Sequence, residues 1–200
     1  MTATSSTQRG KATSAPQRAA ILAKIEALEA LNPHRAPVDS GLVSGTWALL
    51  YQAPLDEARA VTDKSGTTEG PFLATLQPIS RGLVRTRANL QRIDLPGGSV
   101  ENLAEFALAG GLVNGSLNIV GTGAPMTPEE PGQAVTRVYV EFVEFVLRLG
   151  PSIKFTVPLG WVNARGWVET TYVDEDLRVG RGDKGSVFVA ARLRPERWPA

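Results

Sequence analysis

The chain has no cysteine and a single histidine, His34. The first absence removes disulfides, thiolate nucleophiles and Cys-ligated zinc together. The second removes His-rich metal sites and paired-imidazole acid/base chemistry. No uninterrupted apolar run approaches the roughly 20 residues that cross a bilayer as a helix, so any membrane contact is expected to be peripheral. Charge of one sign is also missing: 21 Lys and Arg face 20 Asp and Glu, a net +1. That balance implies no bulk attraction to nucleic acid, and no nucleic-acid partner is expected. No GxSxG elbow accompanies a serine, and His34 sits beside a helix stop rather than near a triad partner. Nothing specific points to an enzyme, and no cofactor or metal is expected.

What remains is an ordinary globular composition, 42% hydrophobic and 20% charged over 200 residues. It favours one domain with a short appendage. Residues 1–15 lack acids, carry Arg9 and Lys11, and are rich in Ser and Thr. The composition is transit-peptide-like but short, and the simpler reading is a flexible tail. The domain then runs from 16 to 200.

Ser14-Ala15-Pro16-Gln17 predicts a helix start, with Ser14 as cap, Gln17 as its reciprocal partner and Pro16 in the first turn. Ile21, Ile25 and Leu28 repeat at helical spacing, Leu22 and Leu31 widen the stripe, and Asn32-Pro33 ends it. The polar face (Lys24, Glu26, Glu29) is too weakly basic for a membrane-surface helix, so packing on the core is expected. From residue 42 onward the chain reads as strands: Gly45 to Tyr51 opens the series, then near 72–79, 83–94, 99–108, 111–120, 135–148, 153–157, 167–173 and 186–194. Gly and Pro clusters separate them. Many short strands with almost no helix pattern imply a barrel or sandwich. Within 135–148, Glu141 and Glu144 are three apart, so strict alternation would place them on opposite faces. A β-bulge near Phe142–Val143 would return both to solvent.

The stretch from Thr170 to Val189 contains a GxGxxG string at Gly180, Gly182 and Gly185. A dinucleotide site needs such glycines between a strand and a helix N-terminus. Here Ser186-Val187-Phe188-Val189 follows, which reads as a strand. The glycines therefore predict a hairpin, with Gly182-Asp183-Lys184-Gly185 supplying positive φ angles. Lys184-Gly185-Ser186 has the wrong order for a Walker A motif, and Arg181-Gly182-Asp183 is a three-residue coincidence. Asp174-Glu175-Asp176 does not fit a calcium loop, because Arg178 and Val179 fall at the fifth and sixth positions. It reads as a turn whose acids pair with Arg178 and Arg181. Arg81, Arg85 and Arg87 share one strand face, with Arg92 on the other parity. They suit a solvated face, or a rim meeting lipid phosphates or an acidic partner.

The stretch from Thr170 to Val189 closely resembles the closing signature of the plastid lipid-associated proteins, the PAP/fibrillin family. Two looser matches accompany it. Leu31-Asn32-Pro33 followed by Gly45-x-Trp47-x-Leu49-Leu50-Tyr51 is similar to the family's opening. Gln91-x-Ile93-Asp94, then Val100-Glu101-Asn102, is similar to its middle strand pair. The likeness covers roughly residues 18–193 and lapses at 56–69 and 121–134.

The resemblance implies an all-β, lipocalin-like barrel with one N-terminal amphipathic helix and an apolar cavity. It implies non-enzymatic association with prenylquinones, carotenoids or similar isoprenoid lipids, at plastid or cyanobacterial thylakoids or plastoglobules. Trp47, Leu49, Tyr51 and Phe142 are the cavity candidates. Lipocalins close one barrel end with a GxW indole stacked under a late arginine. Arg192 is the first candidate for that partner and Arg178 the second, against the simpler reading of Trp47 as a core aromatic. Trp47, Asp174, Asp176, Arg178, Arg181, Gly182, Asp183, Gly185 and Arg192 form the expected closing or structural signature. Three roles stay open: a carrier of an apolar lipid, a scaffold for a prenyl-lipid biosynthetic enzyme, and a coat of lipid bodies. An apolar cavity favours the first, and a filled barrel with an exposed apolar patch favours the other two.

Overall fold

A computed structural model describes Gly10 and residues 13–55, 84–161 and 164–193, with side chains from Arg87 onward in the second strand. The strand expected near 72–79, Arg81 and the side chain of Arg85 lie outside the described residues.

Helix α1 spans Ala15–Glu29. Ser14 caps it: the Gln17 amide donates to Ser14 Oγ, and the Ser14 amide donates back to Gln17 Oε1 at 3.0 Å. This reciprocal pair fixes the start that the sequence predicts. Nine strands follow among the described residues: β1 (Gly45–Pro54), β2 (Val84–Asp94), β3 (Ser99–Leu108), β4 (Val113–Pro125), β5 (Arg137–Leu149), β6 (Ile153–Pro158), β7 (Arg165–Val173), β8 (Leu177–Gly182) and β9 (Ser186–Leu193). All pairings are antiparallel. The order β4-β3-β2-β1-β9-β8-β7-β5 closes on itself through β4–β5, giving an eight-stranded barrel. β6 is outside the ring. β5 pairs along one side with β4, and on the other side with β7 through 137–141 and β6 through 144–149.

The barrel has two apolar layers. Trp47, Leu49, Ile93, Val100, Val138, Val140, Val173, Phe188 and Ala190 fill one end of its interior. Tyr51, Ala53, Tyr172, Val179 and Val187 form an outer layer that takes Ile25 of α1, with Ile21, Leu22 and Leu28 alongside. The helix thus covers the outside of β1, β7, β8 and β9. Residues switch between the layers at register shifts. One lies between Leu49 and Tyr51, another between Thr170 and Tyr172. A third leaves Val143 without a partner, since Val120 faces Glu144 and Gly121 faces Phe142. Glu141 and Glu144 then share the outer face, at the position where the sequence requires a bulge.

β8 is a strand that alternation did not reveal, because Gly180 and Gly182 interrupt its apolar pattern. Gly180 is compelled by space: a Cβ there would lie 2.3 Å from the Phe188 ring. The β8–β9 turn also departs from expectation. Only Gly185 has a positive φ, 78°. Gly182 remains a strand residue opposite Ser186. One left-handed residue is enough for a three-residue hairpin loop.

The C-terminal end of α1 is tied to the barrel by charge. Arg181 donates to both oxygens of Glu29 at 3.0 and 2.6 Å, and the Thr171 hydroxyl donates to Glu29 Oε1 at 2.6 Å. Asn32 Nδ2 adds a bond to the Thr171 carbonyl at 2.9 Å. Burial pushes the Glu29 carboxyl up, but these donors and the Arg181 charge outweigh it and leave it below its ordinary value of 4.5. A depressed carboxylate stabilises the fold above its unfolded pKa and loses that contribution as pH falls through the folded value. Denaturation midpoints measured between pH 7 and pH 3 should therefore fall on acidification. Glu29→Gln should be less stable at neutral pH and flatter below about 4.5. Part of the slope should remain, because Asp174 is depressed as well. An unchanged acid limb in the variant would remove Glu29 from this role.

Candidate functional site

Trp47 is fully buried near the start of β1, and its indole Nε1 donates to the Val43 carbonyl at 3.0 Å. The Arg192 guanidinium lies 4.2 Å from the indole centroid. It also donates to three carbonyls, of Glu175 at 2.7 Å, Ser44 at 3.0 Å and Leu42. One side chain from β9 therefore joins the segment before β1 to the β7–β8 turn and lids the indole. The arrangement accounts for the Gly-x-Trp spacing. Gly45 has φ 146°, and a Cβ there would lie 2.2 Å from Arg192 Nη1. The glycine leaves the passage through which the guanidinium reaches the ring.

Arg178, from β8, lies on the barrel side of the same indole. It is 1% exposed, 5.2 Å from the centroids of both Trp47 and Phe188. Its Nη2 donates to Gln91 Oε1, and Gln91 Nε2 donates to Asn102 Oδ1 at 2.9 Å. A polar chain thus crosses from β8 through β2 to β3 inside an apolar barrel. Burial, then the nearby charge of Arg192, pull the guanidinium down to about 9, which still leaves it charged at neutral pH. A small cavity adjoins it, lined by Gln91, Ile93, Val100, Val138, Val140, Val168, Thr170 and Arg178. The volume open to the centre of a water molecule is about 10 Å³, room for a single water.

The other sequence candidates divide between the layers. Leu49 is buried with Trp47, and Phe142 packs on the same cluster half-buried. Tyr51 does not line the interior. The shift after Leu49 turns it outward against Ile25 of α1. The acidic turn also departs from expectation. Asp174 does not pair with Arg178 or Arg181. It accepts from the amides of Asp176 at 2.8 Å and Leu177 at 2.6 Å, and from the Tyr172 hydroxyl at 2.6 Å. The reason is strand parity. Arg178 and Arg181 are three apart on β8, so one enters the barrel and the other faces Glu29. Asp176 contributes its carbonyl to the Arg192 amide at 2.7 Å. The Asp183 carboxylate lies against Gly166, where a Cβ would meet its Oδ2 at 2.4 Å. Among the described residues no group of three His, Asp or Glu is placed to hold a metal ion.

The second feature is apolar and was not among the sequence candidates. Ala104, Phe106 and Leu117 form a buried group at the other end of β3 and β4, flanked by half-buried Leu108, Phe145, Leu147 and Leu149. Across the β5–β6 pair, Phe145, Leu147 and Leu149 stand opposite Val157, Phe155 and Ile153. All of β6 is exposed: Phe155 is 57% accessible, and Trp161 beyond the strand is 78% accessible. Among the described strands β6 pairs with β5 alone. The period-two pattern Ile153-x-Phe155-x-Val157 was readable, but it does not say whether another layer covers it.

A PAP_fibrillin family profile matches residues 1–191. The chain belongs to the PAP/fibrillin family. It is 29% identical to the "Light-induced protein, chloroplastic" of Solanum tuberosum, over 92% of this chain and 62% of that one. It is 28% identical to the "Chromoplast-specific carotenoid-associated protein C2, chromoplastic" of an Oncidium hybrid cultivar, over 92% and 64%. It is 29% identical to the "Plastid lipid-associated protein 2, chloroplastic" of Brassica campestris, over 92% and 64%. The chain therefore spans a little under two thirds of the length of these curated relatives. No solved structure matches it. No helix among the described residues of this PAP/fibrillin chain is long and apolar enough to cross a membrane.

The Trp47–Arg192 closure makes Gly45 a sensitive position of this family member. Gly45→Ala places a methyl on a pinned guanidinium at an unfavourable φ, and should destabilise by about 1–3 kcal/mol. Urea denaturation should report the loss, and the tryptophan emission should shift as the lid moves. A variant with parental stability and emission would break the link between the glycine and the lid.

Proposed function

We propose that this chain is a non-enzymatic lipid-associated protein of plastids that engages isoprenoid-rich lipid through the β5–β6 hairpin. The observation that carries the reading is the exposed row Ile153, Phe155 and Val157, with Trp161 beside it. Contiguous exposed apolar surface of this kind marks a contact with another apolar phase. Trp favours the boundary between such a phase and water, because its ring is apolar and its N–H polar. Lys154 on the alternate face of β6, and Arg148 opposite it, would remain in water or meet anionic head groups. The relatives named for plastid lipid and carotenoid support the choice of lipid class, and their chloroplastic and chromoplastic names support the compartment. A thylakoid margin or a plastoglobule-like body supplies such a phase.

A second reading, carriage of one prenylquinone or carotenoid molecule, is favoured by the continuity between the exposed row and the inward group around Phe106 and Leu117. The cavity beside Arg178 admits only about one water, and the apolar group at the β6 end is the candidate place for a carried lipid. The two readings separate experimentally. Flotation with plastid-lipid vesicles measures surface association, and tryptophan quenching by plastoquinone measures stoichiometric uptake. Phe155→Glu should weaken flotation by about tenfold or more, since burying a Phe side chain contributes about 1.5–3 kcal/mol. Flotation unchanged in Phe155→Glu and in Trp161→Glu would remove the hairpin from the interface. Saturation at about one quinone per chain without flotation would replace the surface reading by the carrier.

A further inference from the structure

Among the described residues Arg178 makes no ion pair, although it is charged and inside the barrel. The acids nearest in sequence act elsewhere. Asp174, Glu175 and Asp176 face Arg192, and Glu29 takes Arg181. The Arg178 guanidinium meets one amide oxygen, on Gln91, and the faces of two aromatic rings. Its Nε has no hydrogen-bond partner. Thr170, 1% exposed on β7, also lacks a partner for its hydroxyl. Both side chains line the same small cavity, whose other walls are Gln91 and five aliphatic side chains, Ile93, Val100, Val138, Val140 and Val168. A buried cation without a counter-charge carries a large desolvation cost, and an unmet N–H and hydroxyl add to it. A compact acceptor with one negative charge would meet all three needs at this point.

We propose that Arg178 and Thr170 form an internal site for a monovalent anion, a carboxylate or a halide. Arg178 Nε–H and the Thr170 hydroxyl donate to it, and the aliphatic walls exclude bulk water. A dianion such as phosphate would leave a net negative charge in an apolar chamber, so the site selects single charge and small size. The carboxylate has two sources: a free small acid, or the head of a single-chain lipid whose tail runs away from the filled Trp47 end, toward the Phe106–Leu117 group. The site is separate from the β5–β6 hairpin and does not depend on lipid-surface binding.

Thermal unfolding of the full chain at constant ionic strength tests it, with sodium gluconate as the bulky reference salt. The probes are formate, bromide, oleate, and oleyl alcohol as the uncharged analogue of oleate. Saturable stabilisation by formate or bromide identifies the free ion. Saturable stabilisation by oleate but not by oleyl alcohol identifies the lipid head. In either case Thr170→Val should weaken the apparent affinity by about tenfold, the effect of losing one bond to a charged acceptor. Arg178→Met should abolish the anion response while the variant remains folded. If Arg178→Met fails to fold, Thr170→Val decides: an unchanged affinity there overturns the site. No saturable response to any of the three anions overturns it, as does a response that persists in folded Arg178→Met.

Discussion

The stack of Arg192 on Trp47 is the contact on which the architecture depends. It brings together β1, β9, the segment before β1 and the β7–β8 turn, which are far apart in sequence. A guanidinium suits the place because it presents a flat cationic face to the indole and in-plane donors to carbonyls at once. Lysine has the charge without the plane. Arg178 repeats the cation–ring theme from within the barrel, so one indole meets two positive charges, at 4.2 and 5.2 Å. Their mutual repulsion lowers the affinity of Arg178 for its proton, after the larger effect of burial.

Much of this was legible in the sequence. The Ser14–Gln17 box, the Ile25 face of α1, most strand positions and the bulge at Val143 follow from capping chemistry and period-two alternation. The Gly45–Trp47–Arg192 group followed from a resemblance and then acquired a physical reason in the path of the guanidinium past Gly45. Other features were hidden for identifiable causes. β8 carries two glycines and two arginines in six residues, so local propensity argues against the strand that its neighbours impose. Simple alternation puts Tyr51 on the wrong face because one extra residue after Leu49 inverts the parity of everything that follows. Charge matching pairs Asp174 with arginines because it ignores which face each arginine occupies. The exposure of β6 depends on the absence of a neighbour among the described strands, which no local pattern encodes.

The two ends of the barrel serve different physics. The Trp47 end is closed, filled, and stapled by hydrogen bonds to backbone carbonyls. The β6 end presents aliphatic and aromatic side chains graded from buried Leu117 to exposed Phe155. The helix contributes to neither end. It covers the outer wall of β1, β7, β8 and β9, where Tyr51, Val179 and Val187 would otherwise face water. Its anchor, Glu29 with Arg181, is on the opposite face of β8 from Arg178. A single six-residue strand thus separates a paired cation from an unpaired one.

β5 belongs to two structures at once. Its first five paired residues, Arg137 to Glu141, join β7; beyond the bulge, Glu144 to Leu149 join β6, and β4 pairs along both halves on the other side. Closure needs nothing from β6. Side chains at 153, 155 and 157 can therefore change in size, polarity or charge without breaking the ring of hydrogen bonds that defines the barrel. Natural variation has a tongue it can retune at little cost to folding, and two chains with the same barrel can differ in the surface they present there.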